Sequence, residues 1–396
     1  MKKYLILLFC SSIFLFSCGE ELTEREKIEA IYLTWDSTPM NNINICWFEK
    51  DDAVRKVLLR KKGSSDWNPY KTNSSSIDYT DYYYYNLKVS GLQPDTEYEF
   101  RFEKSQNTFT FKTLPENLTR PINFIVGGDL SVSSTTRKMN RLAGTLAPDF
   151  VVWGGDIVYE DGRPEKADLV IEFWKDWYTH STVNNRLIPV VSAIGNHEVQ
   201  KGYGGTPAEA PFFYKFFPSK DGRPFRALDF GNYLSIVILD TDHTTSIPGR
   251  QTNWLSTTLD NRSHVPHLIP VYHVPAFPSH RSFGGHPTAA VREHWVPLFE
   301  KHNLPIAFEH HDHTFKRTPP IRNGKIDETG VTYLGDGAWG VATRTVYDPA
   351  NTWYLEKASP THHFFMVTIE GNSAKVRAYN SDGNVFDEIQ RSGRIQ

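Results

Sequence analysis

Five short apolar runs in the later part of the chain each stop at glycine and polar residues, and this constrains the fold most. Ile122 to Val126 runs into Gly127-Gly128-Asp129, and Phe150 to Trp153 into Gly154-Gly155-Asp156. Leu187 to Ile194 ends in Gly195-Asn196-His197, Leu268 to Tyr272 in His273, and Ile306 to Phe308 in Glu309-His310-His311. Runs so short and predominantly apolar suit strands buried on both faces under helices. Thr135 to Leu146 and Thr252 to Leu259 read as such helices, so a layered α/β domain is expected. Strand ends in these sheets converge on one edge, where ligand sites form. Two Asp, one Asn and at least three His therefore arrive together. Carboxylate oxygen with imidazole nitrogen suits Zn, Mn or Fe, and the lack of thiolate disfavours a structural zinc knot.

The residues before this domain have a different pattern. Ile28 to Thr113 shows no convincing helix, and Ile31 to Trp35 alternates apolar with polar. Ile43 to Phe48 and Tyr82 to Val89 also suit a pleated surface, with loop chemistry at Gly63 to Ser65 and Asn73 to Ser76. Leu92-Gln93-Pro94-Asp95-Thr96-Glu97-Tyr98 resembles the turn into a late strand of fibronectin type III domains, where a tyrosine bonds across a corner. Phe109 to Thr113 reads as the last strand. An all-β, fibronectin III-like sandwich over 28–115 is therefore predicted, followed by a second domain over 118–396. Alternation places Tyr82 to Tyr85 on both faces, which reads as core plus surface rather than a sugar-binding patch.

Lys2 and Lys3 precede an apolar run from Tyr4 to Phe16, too short to span a bilayer. A basic start, a short apolar core and a small-residue exit describe a signal peptide over 1–17. Leu15-Phe16-Ser17-Cys18-Gly19 resembles the lipobox of bacterial lipoproteins, which implies a lipid on Cys18 and a tether over 18–27. The expected location is periplasmic or cell-surface, anchored to a membrane by that lipid. Cys10 leaves with the signal, so Cys46 stands alone and reads as a small buried hydrophobe. The net charge of −3 with no dominant basic run argues against binding to a nucleic-acid duplex.

Taken in order, the strand-end motifs resemble those of calcineurin-like metallophosphoesterases, and within them the purple acid phosphatases. That resemblance covers roughly Ile122 to Phe386, and it implies a four-layer α-β-β-α sandwich around two metal ions. It implies Asp129, Asp156, Tyr159 and His313 on the first ion, with Asp156 bridging. It also implies Asn196, His273 and His311 on the second. The wider superfamily commonly has a histidine two residues after the first aspartate, where this chain has Ser131. Tyr159, three residues after the bridging aspartate, matches the purple-type replacement. A phenolate favours Fe(III) in the first site, with Zn, Mn or Fe(II) in the second.

The resemblance further implies hydrolysis of phosphate monoesters by a metal-bound hydroxide, with no protein nucleophile. His197 and His280 are the expected catalytic histidines, since an imidazole near its ordinary pKa suits proton donation to the leaving oxygen. Arg281 could fork onto phosphate oxygens, and Asn196 and His310 are further candidates for substrate contact. Two residues depart from the family: His310 replaces a usual glycine, and Glu309 is unusual beside it. A phosphodiesterase on the same site is the alternative within this chemistry. From another class, a surface-anchored binding or adhesion protein with a non-catalytic site is the competing reading. The tyrosine-rich sandwich could also dock polymeric substrate.

Overall fold

The computed structural model describes residues 28–52 and 55–394, so the predicted signal peptide, Cys18 and the tether lie outside the described residues. No described helix is long and apolar enough to cross a membrane.

Residues 28–112 form two four-stranded sheets. One runs Ile28–Thr34, Asn42–Glu49, Tyr83–Ser90, Asn73–Ser76, and the other Asn68–Lys71, Lys56–Lys61, Glu97–Phe102, Phe109–Lys112. The Tyr98 hydroxyl accepts the Gln93 N–H at 2.8 Å, which is the corner bond expected from the turn sequence. Asn73–Ser76, expected as a loop, is instead a polar edge strand paired with Tyr83 to Asn86. Its polar serines suit an edge, where Ser74 Oγ donates to Asp52 and Lys215 Nζ donates to Ser76 O at 2.6 Å.

The outer face of the first sheet is not a free surface. Ile31, Leu33, Ile45, Trp47 and Tyr85 point into the sandwich, whereas Tyr32, Cys46, Phe48 and Tyr84 point toward the second domain. There Tyr32 stacks on Trp174 at 3.8 Å between ring centroids, and its hydroxyl donates to Phe216 O at 2.8 Å. Tyr84 meets Phe216 edge-on, and its hydroxyl donates to Cys46 Sγ at 3.3 Å. Burial pushes the Cys46 thiol up to about 12, so it stays neutral and unreactive. The tyrosine run therefore joins the domains at Tyr84 and fills the sandwich at Tyr85, and its expected surface half is largely covered.

The second domain has two facing sheets. The six-stranded sheet orders Val190–Ser192, Phe150–Trp153, Ile122–Gly127, His363–Glu370, Ser373–Asn380 and Val385–Ser392. The seven-stranded sheet orders Arg226–Phe230, Leu234–Ile238, His267–Val271, Ile306–Phe308, Thr332–Gly335, Phe315–Arg317 and Lys357–Ser359. Phe124, Val126, Phe150, Val152, Ile236, Ile269 and Phe308 meet between the sheets. Their alternates Ile125, Val151 and Trp153 pack under helices Ser134–Leu146 and Ala167–Ser181. On the far side, Val237, Leu268 and Ala307 pack under Thr252–Asp260, Thr288–His294 and Val296–Lys301. This is the four-layer order, and the period-two division of each apolar run between two cores produces it.

His363 opens the strand that joins the parallel and antiparallel halves of the six-stranded sheet. Burial among Phe315, Phe365 and Phe386 lowers its pKa to about 4. An unfolded chain then binds a proton between about pH 6.5 and 4 that the folded chain refuses, so stability falls as pH drops through that window. The shift amounts to roughly 3 kcal/mol. Urea unfolding from pH 7 to pH 4 is expected to show a shallower acid loss in His363→Gln than in the parent. Parallel pH curves for the two proteins would contradict this.

Candidate metal centre

The strand register places the polar ends together. Trp153 pairs with both Gly127 and Ser192, so the chain leaves these strands at one level and reaches Asp129, Asp156 and Asn196. Val271 pairs with Phe308, which sets His273 and His311 beside each other from the opposite sheet. Five of the seven expected ligands, Asp129, Asp156, Tyr159, His311 and His313, have φ between 53° and 79°. The left-handed region costs a side-chain-bearing residue about 1–2 kcal/mol, so its repetition here marks a functional site held by its surroundings.

All seven residues meet, in two overlapping groups. Asp156, His273 and His311 offer donor atoms within 4.8 Å of one another, and so do Asp129, Asp156 and His313. Asn196 Oδ1 joins the first group, 3.1 Å from His273 Nε2. The Tyr159 hydroxyl joins the second, 3.4 Å from Asp129 Oδ1 and 3.2 Å from His313 Nε2. Asp156 is the member common to both.

The donor chemistry fits cations. His311 Nδ1 and His273 Nε2 lie 3.0 Å apart, and their outer nitrogens are engaged, His273 Nδ1 with Gly154 O at 2.9 Å and His311 Nε2 with Tyr203 Oη at 3.3 Å. His313 Nδ1 likewise meets Ala342 O at 3.3 Å, which turns Nε2 inward. Such outer partners fix which nitrogen a metal sees. Asp156 Oδ2 is buried and accepts no hydrogen bond among the described residues, with His273 Nε2 3.1 Å away. Burial opposes ionisation of Asp156, but the positive charge of His273 overrides it and holds the carboxyl below the usual range. The same pairing overcomes burial to raise His273 to about 9. A proton on His273 thus stands where a cation can compensate the carboxylates. Burial, then Asp129 and Asp156, drive the Tyr159 phenol upward, so a phenolate there requires a cation beside it.

The remaining candidates separate. The His197 ring lies tilted beside Tyr159 at 4.1 Å between centroids, its backbone N–H donates to Asp156 Oδ1, and its Nδ1 lies 2.6 Å from Asp161 Oδ1. His280 sits on the neighbouring loop with its Nδ1 2.8 Å from Thr345 O. Arg281 is half-buried, with Nε 3.5 Å from Asp312 Oδ1. His310 departs from the expectation of substrate contact. It lies beneath the site, 2% exposed, its Nδ1 on Tyr272 O at 2.9 Å. A Cβ on Gly154 would fall 1.9 Å from this ring, and one on Gly128 2.7 Å. Two of the five strand-end glycines therefore make room for His310. Glu309 accepts from the Tyr272 hydroxyl and the Ala276 N–H, and pairs with buried Lys316, which also meets Asp336 at 2.9 Å.

Four contributors were not anticipated. Glu198 accepts the N–H groups of Asp156, Ile157 and Gly195 at 2.7 to 2.9 Å, clamping two ligand loops together. Its signal was an acid three residues after Gly195, the spacing of a helix-start capping box. Asp312, between two ligand histidines, accepts the N–H groups of Ser279, His280 and Arg281. Tyr203 orients His311, and Arg344 follows the 342–343 segment beside His313. Neither belonged to a motif.

Residues 28–113 match the family model for the purple acid phosphatase N-terminal domain, and residues 122–315 match that for calcineurin-like phosphoesterases. The chain thus carries a purple acid phosphatase N-terminal domain followed by a calcineurin-like metallophosphoesterase domain. Purple acid phosphatase 21 of Arabidopsis thaliana is 28% identical over 288 residues, covering 67% of this chain and 62% of that protein. Purple acid phosphatase 13 of the same plant is 22% identical, with 71% of this chain and 59% of that protein covered. The chain therefore spans about three-fifths of the length of these relatives. Among solved structures, purple acid phosphatase PPD1 from yellow lupin (Lupinus luteus) seeds superposes with a TM-score of 0.76 at 18% identity, over 91% of this chain and 74% of that one. At that identity the likeness speaks for the fold.

Glu198→Gln keeps the shape but turns an amide NH₂ toward backbone N–H donors. Metal affinity, read by competition with a chelator, is expected to fall about 10–100-fold with unchanged far-UV circular dichroism. Unaltered affinity would remove Glu198 from the support of the site.

Proposed function

We propose that this chain is a metal-dependent hydrolase of phosphate monoesters, and the observation that carries this is the pair of donor groups sharing buried Asp156. Asp129, Asp156, Tyr159 and His313 would hold the first ion, and Asp156, Asn196, His273 and His311 the second. When bound, two such cations polarise phosphoryl oxygen, activate water and offset charge on the leaving oxygen. The protein's part is to hold the donors in place. Their left-handed backbones and outer hydrogen bonds are in place in the fold itself, which keeps reorganisation small.

His197 is the proton donor in this reading. Asp161 takes its Nδ1 side and Tyr159 supports the ring face, leaving Nε2 for the leaving oxygen. His280 instead ties its loop to Thr345, a positioning role. Tyr159 supports Fe(III) in the first site, because the phenol sits between Asp129 and His313 with no other partner chemistry for a phenolate.

Turnover of a nitrophenyl monoester and a bis-nitrophenyl diester by iron-, zinc- and manganese-loaded protein tests the assignment. Faster monoester turnover is expected, and faster diester turnover would establish the phosphodiesterase alternative. Failure to bind any of the metals would return the chain to the class of binding proteins. The iron-loaded protein is expected to show a visible charge-transfer band that Tyr159→Phe abolishes. A colourless, fully metallated protein would assign Zn or Mn to both positions.

We also propose that the chain is an exported lipoprotein anchored through Cys18, on the strength of residues 1–19. Cys18→Ser is then expected to move the protein from the membrane to the soluble fraction of expressing cells. Continued membrane retention would overturn the anchor.

A further inference from the structure

Two arginines stand at the metal centre on segments sewn together by hydrogen bonds. Asp312 fastens the Ser279–Arg281 turn, one oxygen accepting three N–H groups at 2.7 to 3.2 Å. The segment bearing Arg344 is tied to this turn and to a ligand loop. Arg344 N donates to His313 O at 3.1 Å, Tyr347 N donates to Ser279 O at 2.7 Å, and the Tyr347 hydroxyl donates to Arg281 O at 3.0 Å. His280 Nδ1 adds its contact with Thr345 O.

These cations are poorly used by the fold. The Arg344 side chain is half-buried and makes no hydrogen bond or ion pair among the described residues. Arg281 Nε is buried without a hydrogen bond, Asp312 Oδ1 being 3.5 Å away. Arg344 is close enough to Asp129, Tyr159 and Arg281 for their charges to act on it, while Arg281 acts on His311 and Tyr203. Arg344 thus belongs to the His313 side of the centre through its backbone bond to His313 O, and Arg281 to the turn that Asp312 holds beside His311. Burial and the charge of Arg281 lower the pKa of Arg344. Cations beside a cation-binding centre are unfavourable unless an anion lies between them.

We propose that Arg281 and Arg344 form a clamp for the non-bridging oxygens of a phosphate dianion, held in position by Asp312. This deepens the phosphomonoesterase reading and rests on it. A monoester or inorganic phosphate brings two negative charges to the clamp, and a diester brings one. Arg344 is thereby the residue that selects monoester over diester. The planar fork of arginine suits two oxygens at once, which lysine does not reproduce.

The test uses the full, metal-loaded chain and the variants Arg344→Ala, Arg344→Lys, Arg281→Ala and Asp312→Asn. Inorganic phosphate affinity is read by calorimetry, and metal content is read alongside. Arg344→Ala is expected to weaken phosphate about tenfold or more, at full metal occupancy, and to cut the monoester-to-diester ratio of kcat/KM by a similar factor. Arg344→Lys is expected to restore part of each loss. Asp312→Asn should raise KM for the monoester more than it lowers kcat, a split that general destabilisation does not give. Unchanged phosphate affinity in Arg344→Ala and Arg281→Ala, or equal losses on both esters, would overturn the clamp. If the parent binds phosphate but turns over neither ester, the phosphomonoesterase reading fails and the binding data still judge the clamp.

Discussion

Two carboxylates, Asp129 and Asp156, are almost wholly buried among the imidazoles of His273, His311 and His313, and the rest of the site answers to that fact. Charge taken out of water must be compensated where it lies. Imidazoles from the opposite sheet supply the compensation, and the carboxylates favour the protonated form of His273. Everything further out keeps the donors inward: carbonyl oxygens on the outer nitrogens, Glu198 across the loop ends, and left-handed turns that bring side chains back over the strand termini. A cation can take over from the proton with little movement, because its ligands are already gathered.

The sandwich domain is structurally continuous with this arrangement. Helix Ala167–Ser181 lies between Trp153 of the sheet and Tyr32 of the sandwich, and Trp174 touches both. The N-terminal domain thereby covers the outside of a helix whose other side packs on the strand leading to Asp156. Such a contact stabilises the six-stranded sheet without lining the site.

The fold and the convergence of the seven expected donors were legible because each depended on local pattern. Apolar runs with polar ends marked the parallel strands, and the seven donors followed the motif order. Helix Ala167–Ser181 was hidden because it is covered on two sides, and Val170, Ile171, Phe173, Trp174 and Trp177 leave no narrow apolar stripe. The antiparallel strands after residue 360 are joined at Gly371-Asn372 and Ser381 to Asn384, turn residues that mark hairpins but carry no site motif. Arg344, Tyr203 and Asp312 act through loops that meet only in three dimensions, and nothing in their immediate sequence announces a partner. His310 carried a visible signal, its substitution for glycine, but the direction of its side chain was decided by space rather than by chemistry.

That space has a further meaning. The His310 ring occupies the volume that side chains at Gly128 and Gly154 would otherwise claim, although it follows a strand of the opposite sheet. The three residues form one steric unit distributed over the chain, so an alanine at 154 is forbidden by a residue 156 positions away in sequence. Replacing His310 by glycine would release that restriction, but only by hollowing the floor beneath both metal positions. A side chain at either glycine is therefore conditional on His310.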